Sequence, residues 1–465
     1  MSETRTEKDS MGEVELPAEV VYGAHTARAA ANFRISGWRM PRGFIAALGL
    51  IKRAAAGAHK EAGRLDAKKA DAVIAAAQEV IDGRLDGQFV VDVFQTGSGT
   101  STNMNANEVI ANRASQILGG RAGDKTLVHP NDDVNMGQSS NDVIPTTIHV
   151  AAARQVHDKL LPALQQLQDA LRQKADEFDG VVKVGRTHMM DAVPIRLGQE
   201  FAGYAAQIEG AVRRLEQGCR ELLALAVGGT AIGTGLNAPE GFADDVCRIL
   251  SAETGLAFHR TQNHFAEQGA KDAVLFASGA MRNAAIAMGK IASDLRLLGS
   301  GPRCGLGELV LPAVQPGSSI MPGKVNPVIC ESVIQVACQV VGCDAAIAAG
   351  AAGGVGSILQ LNVAMPMIAW NLLTSIRLLA NAADVFELKC IRGLTPNEDR
   401  CRELLERSLA TVTALAPRLG YDTAAEIAKT AYATGRTIRE ICLEKNLLPE
   451  KELDDLLDVR RQTGR

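Results

Sequence analysis

Between Pro316 and Glu331 the chain reads PGSSIMPGKVNPVICE, which gathers Ser318, Ser319, Lys324, Asn326 and Glu331 within one short stretch. Gly317 and Gly323 permit sharp bends that leave backbone N–H groups exposed. Asn326 followed by Pro327 reads as a helix start, a side-chain cap with proline at the first helical position. The two serines, the lysine and the asparagine would then sit on a flexible loop delivered to the electropositive end of a rigid helix. Such an arrangement suits a small anion. The plainer reading is a surface loop ahead of a core helix, with Lys324 solvated.

Three further polar clusters interrupt an alanine-rich background. Thr96-Gly97-Ser98-Gly99-Thr100, followed by Asn103, alternates glycines with hydroxyls and can present several donors to an anion. It lacks the Gly-Lys-Ser/Thr ending of a phosphate loop, and a turn with a helix cap accounts for it about as well. Ser139-Ser140-Asn141-Asp142, with Pro145 close behind, reads as the cap of a long helix, and the same donors can hold a carboxylate. Gly185-Arg186-Thr187-His188 precedes Asp191 to Pro194; a lone loop histidine is more often structural or solvated than catalytic. Together the clusters offer hydroxyls and amides in excess, a histidine, a lysine, a glutamate and no metal ligands. That inventory suits proton abstraction from carbon beside a carboxylate, which needs a positioned base and strong stabilisation of the charge that develops on the carboxylate oxygens.

The elements that must hold these residues are long helices. At 465 residues the chain is expected to form two or three domains. Aromatic residues make up only 4% and alanine is abundant, so burial must come from extended helix contact and the fold class is read as all-α. Smaller helices are expected over Phe44 to Leu65 and Ala67 to Ile81, stopped by DGRLDG. Long tracts follow over Val143 to Phe178, Ile195 to Ala226, Asn263 to Leu298, Pro327 to about Ala352 and Asn362 to about Cys390, with Gly228–Gly229 and Gly299 to Gly301 marking ends. A tract of thirty residues is roughly 45 Å long. Pro145 and Pro162 should bend the first of them. These tracts are apolar over more than one face, which a single subunit would leave wet, so a homo-oligomer is expected. After GLTPNEDR the chain turns more charged, with shorter helices over Cys401 to Ala416, Tyr421 to Tyr432 and Ile438 to Glu444. Expected domain limits are 1–138 for an N-terminal helical domain, 139–393 for a central long-helix bundle and 394–465 for a small C-terminal domain.

Composition excludes several classes of partner. A net charge of -4 argues against nucleic acid or an acidic membrane surface. No apolar run is read as long enough to span a bilayer, and the polar N-terminus shows no signal core, so a cytoplasmic location is expected. The nine cysteines form no C-x-x-C pair and are read as reduced and mostly buried, with no disulfide framework and no zinc or iron–sulfur site.

The strings FQTGSGTSTNMNANE, HPNDDVNMGQSSND, GRTHMMDAVPIRLGQE, GGTAIGTGLN and GSSIMPGKVNP resemble the signature segments of the fumarase/aspartase superfamily, and the match is closest to its class II fumarate hydratase branch. It runs in order from EKDSMG to GYDTAAEIAK. The resemblance implies a three-domain, mostly helical subunit, a homotetramer around a twenty-helix bundle, and an active site assembled from three subunits. It implies reversible hydration of fumarate to L-malate without metal or organic cofactor. Ser318 would be the base at C3 of malate, while Lys324 and Asn326 would bind the substrate carboxylate and stabilise an aci-carboxylate intermediate. His188, paired with Glu331, would handle the water. Ser98, Gly99, Thr100, Ser139, Ser140, Asn141, Thr187 and Ser319 would hold the dicarboxylate. His129, Pro130, Asn131 and Asp132 would form a second dicarboxylate site, although Thr126 stands where some fumarases carry an arginine. Gly137 replaces an expected serine, and Gln360 precedes Leu361-Asn362 where glutamate is expected.

Aspartate ammonia-lyase is the alternative on this scaffold. His188 after Thr187, and glycine rather than alanine before the lysine in Met-Pro-Gly-Lys, favour the hydratase. A structural, crystallin-like protein is disfavoured because it needs neither Ser318 nor His188, and an iron–sulfur hydratase because the cysteine spacing offers no cluster site.

Overall fold

The computed structural model describes residues 3–464. It is 61% helical and 9% strand, so the all-α expectation holds. Taken in chain order, a β-hairpin of β1 (Thr4–Asp9) and β2 (Gly12–Pro17) opens the chain. Helices α1 (Ala24–Asn32), α2 (Arg42–Glu61), α3 (Ala67–Ile81), α4 (Thr100–Ile117), α5 (Ser140–Gln155) and α6 (Leu161–Glu177) follow. A second hairpin, β3 (Val182–Thr187) and β4 (Met190–Arg196), leads into α7 (Leu197–Glu221), α8 (Phe242–Thr254), α9 (His264–Gly269) and α10 (Asp272–Leu298). Then come α11 (Val328–Ala351), α12 (Met365–Phe386) and α13 (Glu398–Arg407). Short helices over Tyr421–Thr434, Ile438–Glu444 and Glu450–Leu457 end the chain.

These elements form two compact units. The first comprises residues 1–162, 213–285 and 338–380, the second 163–212, 286–337 and 381–465. In the first, α2 and α3 pack against each other with Gly49 of α2 set against Ala77, Val80 and Ile81 of α3, and Leu48, Ile51, Ala54, Val73, Ala76 and Ala77 are all buried. Small side chains on one helix leave room for branched ones on the other. Asp66 caps α3 by accepting the N–H groups of Lys68 and Lys69 at 3.0 and 3.1 Å, a contribution of about 1 kcal/mol. In the second unit, the C-terminal helices close over their own core of Leu415, Ile427, Ile438, Ile441 and Leu453.

The long tracts are present but interrupted. The first runs from Ser140 to Glu177 with a π turn at Val156–Leu160, just before Pro162, which has no N–H to give the preceding turn. The tract expected from Ile195 begins as strand β4; α7 ends at Glu221, before Gly228, and Ala224–Leu225 pairs with His259–Arg260. The tract from Asn263 breaks at Ala270, whose backbone is extended. The helix expected over Cys401 to Ala416 breaks at Ser408, where the backbone is again extended and the hydroxyl caps the next turn.

Two further expectations need correction. One apolar run does reach bilayer length: α11 has 24 residues and is apolar over most of them. Its Asp344 accepts from Ser278 and Arg282 of α10, both at 2.6 Å, so the charge within the helix is matched by a neighbour. Nor does Asn326 cap α11. Its side-chain N–H group is turned back onto the carbonyl of Gly317 at 2.7 Å, where it ties the base of a loop. All nine cysteines are free; six are buried, while Cys304 and Cys338 are exposed.

Candidate active site

Two helix starts meet in the first unit. Gly99 precedes α4 in the left-handed conformation (φ 72°), which a side chain would strain, and Ile144 lies so close that a Cβ would stand 2.9 Å from it. The turn aims hydroxyls inward: Ser98 Oγ is 2.8 Å from Thr100 Oγ1, which is 2.7 Å from Ser140 Oγ at the start of α5. Ser139 caps α5 in a reciprocal box. Its Oγ accepts the Asn141 N–H at 3.3 Å, and its own N–H donates to Asp142 Oδ1 at 2.9 Å. Two positive helix ends therefore converge beside three hydroxyls, an arrangement whose chemistry suits an anion. The Asn141 amide donates to the carbonyl of Ala231 at 2.8 Å, so the GGTAIGTGLN segment borders this group.

Beneath it lies a charged pair that the motifs did not single out as part of the site. Asp142 is fully buried, and its second carboxylate oxygen accepts the N–H groups of Gly228 and Thr230, both at 3.0 Å. Burial pushes its pKa up to about 6, against the pull of these N–H groups and of Lys52. Lys52 of α2 is equally buried, and burial pushes it down to about 7, with Asp142 opposing the shift. Residue type marks Lys52 as a surface position, although it stands one turn after Leu48 on the buried face of α2; its acceptors lie 83 and 86 residues further along the chain.

In the second unit Thr187 and His188 sit at the exposed tip of the β3–β4 hairpin. The two turn residues, His188 and Met189, both have positive φ (57° and 63°), the tight turn that suits strand twist but that glycine or asparagine adopts more readily. Such strain in a non-glycine pair marks a position held for its side chains. The hairpin is anchored below by Arg186, whose guanidinium donates to both oxygens of the buried Glu308 at 2.8 and 3.0 Å. Lys183, also buried, lies 3.3 Å from Glu308 and 3.2 Å from Glu200.

The same unit carries the loop before α11. Gly317 N–H donates to the carbonyl of Lys324 at 2.6 Å, and the Asn326 amide closes the ring. Inside the ring, Ser318 Oγ accepts two backbone N–H groups, from Ile320 at 3.2 Å and Met321 at 3.0 Å. Ser319 and Lys324 face solvent, and Glu331 is half-buried one turn into α11. Among the described residues no hydrogen bond or ion pair joins His188 to Glu331 or to this loop.

The remaining cluster is locally organised. His129 Nδ1 accepts the N–H groups of Asn131 and Asp132 at 3.2 and 3.1 Å, capping the short turn Pro130–Val134. Asn131 and Asp132 are exposed while Pro130 is buried. Thr126 Oγ1 donates to Asp124 at 2.6 Å and so serves its own turn.

Hydroxyl-rich helix starts and a serine–lysine loop, carried by long apolar helices, are the architecture of a class of lyases. A family described as Lyase matches residues 12–342, and one described as Fumarase C C-terminus matches residues 412–464. A Bradyrhizobium diazoefficiens protein described as fumarate hydratase class II 2 is 52% identical over 460 residues, 99% of this chain and 97% of its own length. A class II fumarate hydratase of Halobacterium salinarum is 54% identical, with 99% and 97% covered. The crystal structure of class II fumarase from Schistosoma mansoni superposes with a TM-score of 0.96 at 40% identity, covering 99% of both chains. The chain belongs to the class II fumarate hydratase family.

Proposed function

We propose that this chain catalyses the reversible hydration of fumarate to L-malate, with Ser318 as the base. The observation that carries the assignment of the base is the pair of backbone N–H groups donated to Ser318 Oγ. Such donors favour the alkoxide over the hydroxyl, and the ammonium of Lys324, carried on the same loop, would add to the effect once turned toward Ser318. In the dehydration direction the alkoxide takes the proton from C3 of malate. The electron pair moves into the adjacent carboxylate, giving an aci-carboxylate whose charge is met by Lys324 and Asn326. Substrate binding would exchange the Asn326–Gly317 bond for one to that carboxylate. The C2–O bond then breaks, and the hydroxyl leaves as water with a proton delivered at His188, held by Glu331. Ser98, Gly99, Thr100, Ser139, Ser140, Asn141, Thr187 and Ser319 would hold the dicarboxylate.

Full-length likeness to hydratases favours this reading over aspartate ammonia-lyase. We further infer a homotetramer of three-domain subunits (1–138, 139–393 and 394–465), with each site drawn from three subunits, which would explain why His188 makes no hydrogen bond or ion pair among the described residues. A second dicarboxylate site at His129 to Asp132 and a cytoplasmic location belong to the same reading.

Ultraviolet absorbance tests the reaction. Purified protein mixed with L-malate should show the rising absorbance of a conjugated double bond, and protein mixed with L-aspartate should not. A rise with aspartate alone would replace the hydratase reading with the ammonia-lyase.

A further inference from the structure

Lys52 has no place in the mechanism above, yet it is fully buried. Burying a lysine costs free energy that a methionine of similar volume would not, so packing alone does not call for it. Its ammonium donates to Asn135 Oδ1 at 2.9 Å and Gln138 Oε1 at 3.0 Å. Asn135 Oδ1 also receives the amide N–H groups of Asn103 and Asn107 of α4, both at 3.1 Å. One carbonyl oxygen thus gathers donors from α2 and α4 at a single point.

That oxygen belongs to the turn that launches α5. Gln138 N–H donates to the Asn135 carbonyl at 3.0 Å, and the Asn135 amide returns a bond to the Gln138 carbonyl at 3.1 Å. The next residue, Ser139, is the cap of α5, and Ser140 meets Thr100 of α4 at 2.7 Å. We propose that Lys52 is the positioning residue of the dicarboxylate site: its ammonium ties the Asn135–Gln138 turn to α2 at the same oxygen through which Asn103 and Asn107 tie it to α4, and so fixes the spacing between the hydroxyls at the starts of α4 and α5. In its ammonium form it also brings positive charge into a medium of low dielectric near the start of α5. Asp142 balances part of that charge while its N–H donors keep it in place. The neutral amides between the ammonium and α4 let the clamp hold without cancelling the charge.

The inference rests on the dicarboxylate reading of this site, and the test separates the two. Affinity for succinate, an unreactive four-carbon dicarboxylate, is measured by calorimetry on the full-length protein, alongside kcat and KM for L-malate. Lys52→Met should weaken succinate binding and raise KM by about tenfold or more, with kcat reduced far less, because ground-state positioning is lost and the base is untouched. The melting temperature should fall, because Gln138 Oε1 loses its donor and Asp142 its countercharge. Succinate affinity and KM unchanged in a folded Lys52→Met protein would overturn the role, as would a fall in kcat alone. If that variant fails to fold, Gln138→Met removes one acceptor of the clamp and should shift KM in the same direction; an unchanged KM there also overturns it. Wild-type protein that binds succinate without turning over malate would defeat the hydratase reading and leave the binding test of Lys52 in force. Wild-type protein that binds no succinate would overturn both.

Discussion

A serine hydroxyl is a poor base in water, and in the proposed mechanism the two N–H groups aimed at Ser318 Oγ are the local means of changing that. Replacing Ser318 by alanine should lower kcat by about 10²–10⁴-fold while circular dichroism stays unchanged, and turnover within a few-fold of wild type would remove Ser318 from the role. His149 shows what burial does to a group outside the proposed chemistry. It is buried in α5 and bonds the Ala224 carbonyl through Nδ1, and burial pushes its pKa down from 6.5 to about 4. Above pH 6.5 it is neutral folded or unfolded, so it carries no penalty there. Between 6.5 and about 4 the unfolded chain takes up a proton that the folded chain refuses, and stability falls by about 3 kcal/mol over that window. His149→Asn should lack this part of the acid loss, read as the urea midpoint against pH at fixed protein concentration. Parallel curves for variant and wild type would show that other groups carry the acid limb.

At the scale of elements, local signals were legible and remote ones were not. The cap at Ser139 could be read because its partners, Asn141 and Asp142, lie within one turn. The limits of α3 followed from its apolar spacing and the DGRLDG stop after its end for the same reason. The β3–β4 hairpin was hidden, since its turn uses His188 and Met189 where glycine or asparagine would have announced it. Asn326 misled because the same amide suits a cap or a loop closure, and only the position of the Gly317 carbonyl decides. The loop itself depends on Gly317: a Cβ there would stand 2.7 Å from the Lys324 carbonyl and 2.8 Å from the Asn326 nitrogen. Gly317→Ala should therefore open the ring and cut kcat by about tenfold, with little change in melting temperature because the loop is solvent-facing. A normal kcat in that variant would mean that the closed ring is not the working form.

For the molecule as a whole, the apolar faces of the long helices are the outstanding fact. Only 33% of the apolar window in α11 is buried within the chain, and Ile286 of α10 is 54% exposed. Such faces are expected to close against copies of the same chain. Sedimentation at micromolar concentration should give about four times the 49.1 kDa of one chain. Ile286→Arg should yield smaller species and lose turnover together, with helicity kept. An active monomer would contradict both the assembly and the shared site.

By itself the sequence determined the fold class, the long helices and the clusters that carry the chemistry, because apolar periodicity and short-range capping are written in neighbouring residues. Tertiary structure alone decided that Lys52 is buried, that Asp142 faces Gly228 and Thr230, and that Asn326 closes a loop. Those outcomes depend on groups brought together from distant parts of the chain. There, burial sets the charge state of a residue and the available acceptors set its direction, and neither is a property of the residue alone.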